Sequence, residues 1–549
     1  MMMRTLEKAL LDHELLVLRV IGEWWEVDLT GADKMACVNK LAETMRQLDM
    51  QQEMIFLPPE EAAAMRDLIT AGGRMPVATF SRKYGEVRLM GPGRLEREEP
   101  WMEPISSAEA LWYRGFLFRA FDETPEGMIE FCYLPEELLS QFPAPAEDEV
   151  GETAVPGLTP AGAPEAFTEA VTDIVDDLTT LLGAAQSGLL QAGDERWRSL
   201  LLNDDEDRLS MITALARELG FLRATPEDLR PTRAAVAWLK QSRESQLRAL
   251  ADAWSRSGWN ELRHVPALIC EGENWSNDPI LARTALLDAM PRSSDWFLLD
   301  DLVEHIKATA PDFQRPDGNY DTWYVRDAAS NEFLTGFTSW DSVEGRLLRY
   351  LVQGPLVWLG LVETAAGRYR LTSRALAWLA DEPAVRDEVR VPIVVNADAS
   401  LIVPYNADRY QRFQVARISE AGPMKPGQPF HYRLTPASLQ RAKQQGIMPE
   451  RILKFLGDAS GRPVPASVKR ALARWAERGV EARVEETVVL RVRDAAILET
   501  LRANPKTRDF IGESLGDLAA VVRRDQWPQF VAATAQLGLL LDVNAGESG

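Results

Sequence analysis

No phosphate-binding loop is present in this sequence: GxxxxGK[ST] is absent, and not one Gly-Lys dipeptide occurs in its 549 residues. The backbone cradle and lysine that a nucleotide-driven motor uses are therefore missing. Histidine is scarce. His13, His264, His305 and His431 lie far apart; His305 has Asp301 one helical turn before it, which reads as a surface pair rather than a metal-ligand set. The three cysteines, Cys37, Cys132 and Cys270, form no CxxC or Cys/His pair and read as small buried hydrophobes in a reducing compartment. Neither a nucleophile elbow nor a dinucleotide-binding glycine motif is expected. The acidic run Asp204 to Asp207 has no phosphate loop upstream, so it reads as a solvated loop leading into a helix. These absences predict a protein that is not an enzyme, uses no cofactor or metal, and has no evident small-molecule substrate.

Long apolar runs are also lacking. The nearest, "YLVQGPLVWLGLV", contains Gln353, Gly354 and Pro355, and falls short of the roughly 18 uninterrupted residues a membrane span needs. Charges at Arg4, Glu7, Lys8, Asp12 and Glu14 break up any signal-peptide core. A soluble, cytoplasmic protein without a membrane partner is expected. Positive charge is outweighed, with 83 Asp and Glu against 61 Lys and Arg and a net charge of -22. Such a balance opposes bulk binding to phosphate unless bases are gathered on one face. One segment gathers them: Tyr432 to Gly479 carries ten Lys or Arg against three acids.

The length predicts several domains. "FPAPAEDEVGETAVPGLTPAGAPEAF", Phe142 to Phe167, is crowded with Pro, Gly, Ala and acids and reads as a linker. A second boundary is expected at Asp381 to Arg390, and the tail "NAGESG" is expected to fray. The expected division is an N-terminal helical and winged-helix domain (1–142), a linker (143–167), two winged-helix domains (168–265 and 266–385) and an α/β domain (386–543).

An internal repeat supports that division. "LGFLRATPEDLRPTRAAVAWL" (Leu219 to Leu239) and "LGLVETAAGRYRLTSRALAWL" (Leu359 to Leu379) align without a gap at an offset of 140 residues. Each follows an amphipathic helix, which Pro355 must interrupt in the second copy. Gly220 and Gly360 stand where left-handed caps belong, two short strands follow, and Thr232 and Thr372 are placed to N-cap a helix with inward Ala and Trp-Leu positions. Helix, strand, turn, strand, helix is the C-terminal part of a winged-helix unit. The N-terminal region repeats the plan, with a cap at Gly115, strands Phe116 to Phe121 and Met128 to Tyr133 around a turn at Pro125 to Gly127, and two upstream helices joined at Gly72-Gly73. Such units serve either as protein spacers or as DNA readers. Arg346 and Arg349 on the helix before the second wing, with Arg368 and Arg370 on its hairpin, are the candidate phosphate contacts. Arg208, Arg217 and Arg223 in the first copy are expected to face the acids Asp204 to Asp207.

The C-terminal region changes style. "VRVPIVVNADASLIVP" signals a hairpin, "FHYRL" a strand, and Thr435-Pro436 an N-cap with a first-turn proline. Pro449 and Pro465 open two more helices. In the last, Val468, Ala471, Leu472 and Trp475 fall on one stripe, leaving Lys469, Arg470, Arg474 and Arg478 opposite. "ARVEETVVLRVRD" reads as a strand or strand pair, and "WPQFVAATAQLGLLLDV" as helix then strand.

From "VPIVVNADASLIVP" through "YRLTPASLQRAKQQGIMPERILKFLGDASGRPVPASVKRALARWA", this block resembles the accessory, non-motor domain at the N-terminus of XPB/Ssl2-type helicases. It is also similar to bacterial helicase-associated proteins that carry this domain without an ATPase. The matching residues are Tyr432 to Thr435, Ser438, Ala442, Gly446, the "ILKFL" helix, Ser460, Pro463 and Pro465. Winged-helix units followed by such a domain also resemble the transcription factor IIH subunit that clasps XPB. The resemblance implies a non-catalytic scaffold that holds or regulates a helicase on DNA, in repair or transcription. A winged-helix transcriptional regulator acting without a helicase is the alternative. The fold class expected is mainly α with small β-hairpins, tandem winged-helix units being followed by an α/β helicase-accessory domain. The expected partners are an XPB-like helicase and DNA. Arg433, Arg441, Lys443, Lys469, Arg470 and Arg474 join the four arginines of the second wing as candidate nucleic-acid or partner contacts.

Overall fold

The structure, a computed structural model, describes residues 4–124, 127–142, 157–190, 197–224, 229–272, 275–384, 388–482 and 487–543. Several expected features lie outside them: much of the linker (143–156), the turns at Pro125-Glu126 and Thr225 to Asp228, residues 273–274 and 385–387, the 483–486 part of a strand, and the tail (544–549). About half of the described chain is helical, with several small antiparallel sheets. It divides into two compact units, Met1–Val464 and Pro465–Gly549. The expected 386–543 domain contributes residues to both.

Within the first unit, one apolar cluster runs from Leu6 to Leu138. Its sheet has three strands in the order Arg74–Pro76, Gly127–Tyr133, Phe118–Thr124. The first hairpin strand begins two residues later than expected because Phe116 and Leu117 are core residues whose amides cap the preceding helix at the Leu111 carbonyl. The second repeat copy has the same topology. Phe297–Leu298 pairs with Arg368–Leu371, which pairs with Val362–Ala365. In the first copy two strands are formed, Leu222–Ala224 and Leu229–Pro231.

The repeat frame folds as its residues dictate. Gly220 and Gly360 take φ of 64° and 68°, and a Cβ on Gly360 would lie 2.7 Å from the Val171 carbonyl. Thr232 and Thr372 accept the Ala235 and Ala375 amides as N-caps. Pro355 splits the helix before the second hairpin into Arg346–Gln353 and Pro355–Trp358. The two Trp-Leu pairs differ. Trp238 and Leu239 are buried, whereas Trp378 is half-buried and donates Nε1–H to Asp252 at 2.8 Å. Arg374 adds a bidentate bond to Glu244 at 2.7 and 2.8 Å. Both copies thus share one continuous core.

The Asp173–Ser187 helix binds that core to the segment after residue 388. Ile174, Leu178 and Leu181 are apolar and buried, but so are Asp176 and Asp177. Asp176 takes Arg243 at 2.8 Å and Arg412 at 3.1 Å, and Asp177 takes Arg208 at 2.6 Å and the Leu202 amide at 2.6 Å. Burial nevertheless pushes the Asp177 carboxyl above the usual range, against the pull of Arg208. Arg412 also bonds Thr180 and the Tyr432 hydroxyl and lies 3.7 Å over the Phe430 ring. Arg409 reaches Gln246 and the Gln241 carbonyl. The segment after 388 is therefore cross-linked by polar contacts to the first repeat copy.

Arg208 was expected to face Asp204 to Asp207. Its side chain instead turns inward to Asp177, and only its amide meets that run, capped by Asp205. The final strand is also not formed: after the Trp527–Gln536 helix, residues 538–543 take no strand pairing and Leu540 is exposed. The second unit has its own small core of Leu490, Leu498, Leu501, Ala520, Val522 and Phe530.

Two outcomes test this packing. Asp176→Asn removes the buried carboxylate that Arg243 and Arg412 share and should destabilise the first unit by about 3–5 kcal/mol in urea unfolding. Asp300→Asn, which breaks an exposed pair with Arg349, should cost no more than about 1 kcal/mol. His13 is buried between Trp112 and Phe118, and burial pushes its pKa down to about 3 from 6.5. The folded state stays unprotonated there while the unfolded chain takes a proton below 6.5, so stability is full above pH 6.5 and falls as pH drops toward 3. The expected loss is about 1.4 kcal/mol per pH unit in that window. Hydrogen exchange of the Ser107–Tyr113 helix should show this slope, and His13→Phe should remove it.

Candidate nucleic-acid or partner interface

The basic segment is built from three helices and the strand that feeds them. Phe430–Arg433 lies within a four-stranded sheet, paired with Ser400–Val403 on one side and Glu420–Ala421 on the other. Thr435 and Ser438 then form a reciprocal capping box, each bond 3.0 Å, opening the Pro436–Gln444 helix. Pro449–Ser460 and Ala466–Arg478 follow. Because the unit division falls between the last two helices, the cations form two groups.

In the first unit, Arg433 is 61% exposed and 3.6 Å from Asp398, and Arg441 is 3.4 Å from Glu420. Both contacts are long. Lys443, Arg451, Lys454 and Arg462 are exposed, and among the described residues none meets a carboxylate within ion-pair distance. Arg451 and Lys454 share the face opposite the buried Ile452, Leu456 and Ala459.

In the second unit, the Ala466–Arg478 helix buries Val468 and Leu472 and half-buries Trp475, as the apolar stripe predicts, but Ala471, expected on the same stripe, is exposed. Lys469 and Arg470 are exposed with no carboxylate partner among the described residues. Arg474 and Arg478 are exposed too, but both are tied to Glu481. Those two guanidiniums hold the Glu481 carboxyl below its usual range, chiefly through the Arg474 bond.

The four arginines of the second wing are placed differently. Arg346 bonds Asp327 at 2.6 Å and the Ala267 carbonyl at 3.3 Å. Arg349 bonds Asp300 at 2.8 Å. Arg370 bonds Glu363 at 2.5 Å and lies 4.8 Å over both the Phe167 and Trp296 rings. Arg368 is half-buried, and its Nε is enclosed without an acceptor among the described residues. The charges of Arg346, Arg349 and Arg370 are thus compensated within the fold. Arg451, Lys454, Arg462 and Arg478 are further displayed cations; helical periodicity places Arg451, Lys454 and Arg478 on the solvent side, and Arg462 lies in the loop between two helices.

Among the described residues no group of three or more His, Cys, Asp and Glu could hold a metal ion. Gly512 to Gly516 does have the GxSxG spacing of a nucleophile elbow, which was not anticipated. Ser514, however, ends a strand that turns into another strand rather than a helix, is exposed, and belongs to a unit with no histidine. Among the described residues no helix is long and apolar enough to cross a membrane.

Residues 393–516 match the family model described as a helicase conserved C-terminal domain. The matched stretch spans the end of the first unit and the start of the second, and contains all three basic helices. No curated protein matches the chain. This stretch is thus similar to a helicase-related domain.

Proposed function

We propose that the chain is a non-catalytic, DNA-associated accessory or scaffold protein of an XPB/Ssl2-type helicase, working in repair or transcription. One observation carries this reading: the helicase-domain match falls on residues that display cations free of carboxylate partners among the described residues, Lys443, Arg451, Lys454, Lys469 and Arg470. The missing phosphate loop supports an accessory role over a motor. On this reading the cations meet phosphate or an acidic face of the helicase.

The helix-strand-helix-hairpin topologies around 59–133 and 279–371 support winged-helix units within 1–142 and 266–385, and the shared repeat frame extends the reading to 168–265. Internal pairing of Arg346, Arg349 and Arg370 favours their use as scaffold rather than as DNA readers. Affinity purification from the native cell should recover an ATPase of the helicase class. Recovery of RNA polymerase or a fixed promoter sequence without a helicase would point to a winged-helix regulator instead.

Binding to a DNA duplex should weaken with salt. Reversing Lys469, Arg470 and Arg474 together should lower the slope of log affinity against log salt by about three, roughly one per phosphate contact. Arg349→Ala should leave the slope unchanged. An unchanged slope after the triple reversal, with helicase capture lost, would make the segment a protein dock.

A further inference from the structure

Two arginines one helical turn apart on the Ala466–Arg478 helix converge on a single carboxylate. Arg474 donates to Glu481 through Nε and through Nη2, the latter to Oε1 at 3.3 Å, and Arg478 donates through Nη1 to the same Oε1 at 3.3 Å. Glu481 follows the helix's terminal Gly479 by two residues, so the partner is supplied by the chain immediately after the helix. Both arginine side chains remain more than 60% exposed. Arg470, one turn earlier on the same stripe, has no carboxylate partner among the described residues. A shallow groove lined by Arg470, Ala471, Ala473, Arg474, Glu477 and Arg478 runs along this face.

A carboxylate and a phosphodiester present the same thing to a guanidinium: two anionic oxygens that accept in-plane N–H bonds. An exposed carboxylate held by two exposed arginines is readily exchanged for another oxyanion, because solvent screens the pair and holding it restricts three mobile side chains. We infer that Arg474 and Arg478 form an oxyanion cradle for a nucleic-acid phosphate, which Glu481 occupies in the free protein as a competitor in cis. Glu481 then attenuates binding at this helix and leaves the cradle when a phosphate enters. Arg470 and Lys469 make the first electrostatic contact. This inference rests on the nucleic-acid reading above and assigns Glu481 a regulatory part in it.

The test uses the full chain and a short fluorescein-labelled DNA duplex, titrated over a potassium chloride series. Glu481→Gln should tighten binding several-fold. Glu477→Gln, which removes the same charge beside the groove but from a residue bonded to neither arginine among the described contacts, should have a smaller effect. Adding Arg474→Gln and Arg478→Gln to Glu481→Gln should abolish the gain. Equal affinity of wild type and Glu481→Gln would overturn the cradle while leaving the nucleic-acid reading intact. A gain that survives loss of both arginines, or that Glu477→Gln reproduces in full, would reduce the effect to bulk charge and overturn it as well. No binding of DNA by either protein would overturn both readings. A gain seen with polyglutamate but not with DNA would replace phosphate by an acidic protein.

Discussion

Two adjacent aspartates buried in one helix hold the larger unit together. Asp176 and Asp177 would each be costly in an apolar interior. Arg208 comes from the first repeat copy, Arg243 from the helix after it, and Arg412 from within the helicase-matched stretch. Each guanidinium supplies a counter-charge to one of these buried carboxylates. The pairing brings the helicase-related segment and the repeats into one register. Further buried pairs, Arg283 with Glu261 and Arg315 with Glu344, serve the second copy in the same way. A fold held by so many interior pairs is specified by geometry as much as by apolar area.

This arrangement also explains the distribution of charge. Several arginines of the body are paired with buried carboxylates, and acids outnumber bases over the whole sequence. The cations between Arg433 and Arg478 are mostly left over, being placed on helix faces with no acid within reach. Acidic surface repels phosphate and displayed cations attract it, in each of the two groups.

Local features of the fold were legible in the sequence, and long-range ones were not. Thr232, Thr372 and Thr435 act within three residues of themselves, as do the glycine caps and Pro355, so short spacing suffices to place them. The stripe of Val468, Leu472 and Trp475 is likewise a matter of helical period. By contrast, nothing near Asp176 announces Arg412, which lies 236 residues away. Arg346, Arg349 and Arg370 read as free bases in sequence because Asp327, Asp300 and Glu363 meet them only after folding. "LGLLLDV" has strand composition, but a strand needs a partner edge, and residues 538–543 find none among the described residues.

An account in which this chain serves a helicase without being one is tested most directly by steady-state ATP hydrolysis. The XPB-like helicase from the same cell would be measured on DNA with and without the purified chain, alongside the chain alone. The chain alone should hydrolyse nothing, and its addition should change the helicase rate in a saturable way. Hydrolysis by the chain alone that survives purification, or a helicase rate indifferent to saturating chain, would contradict the account.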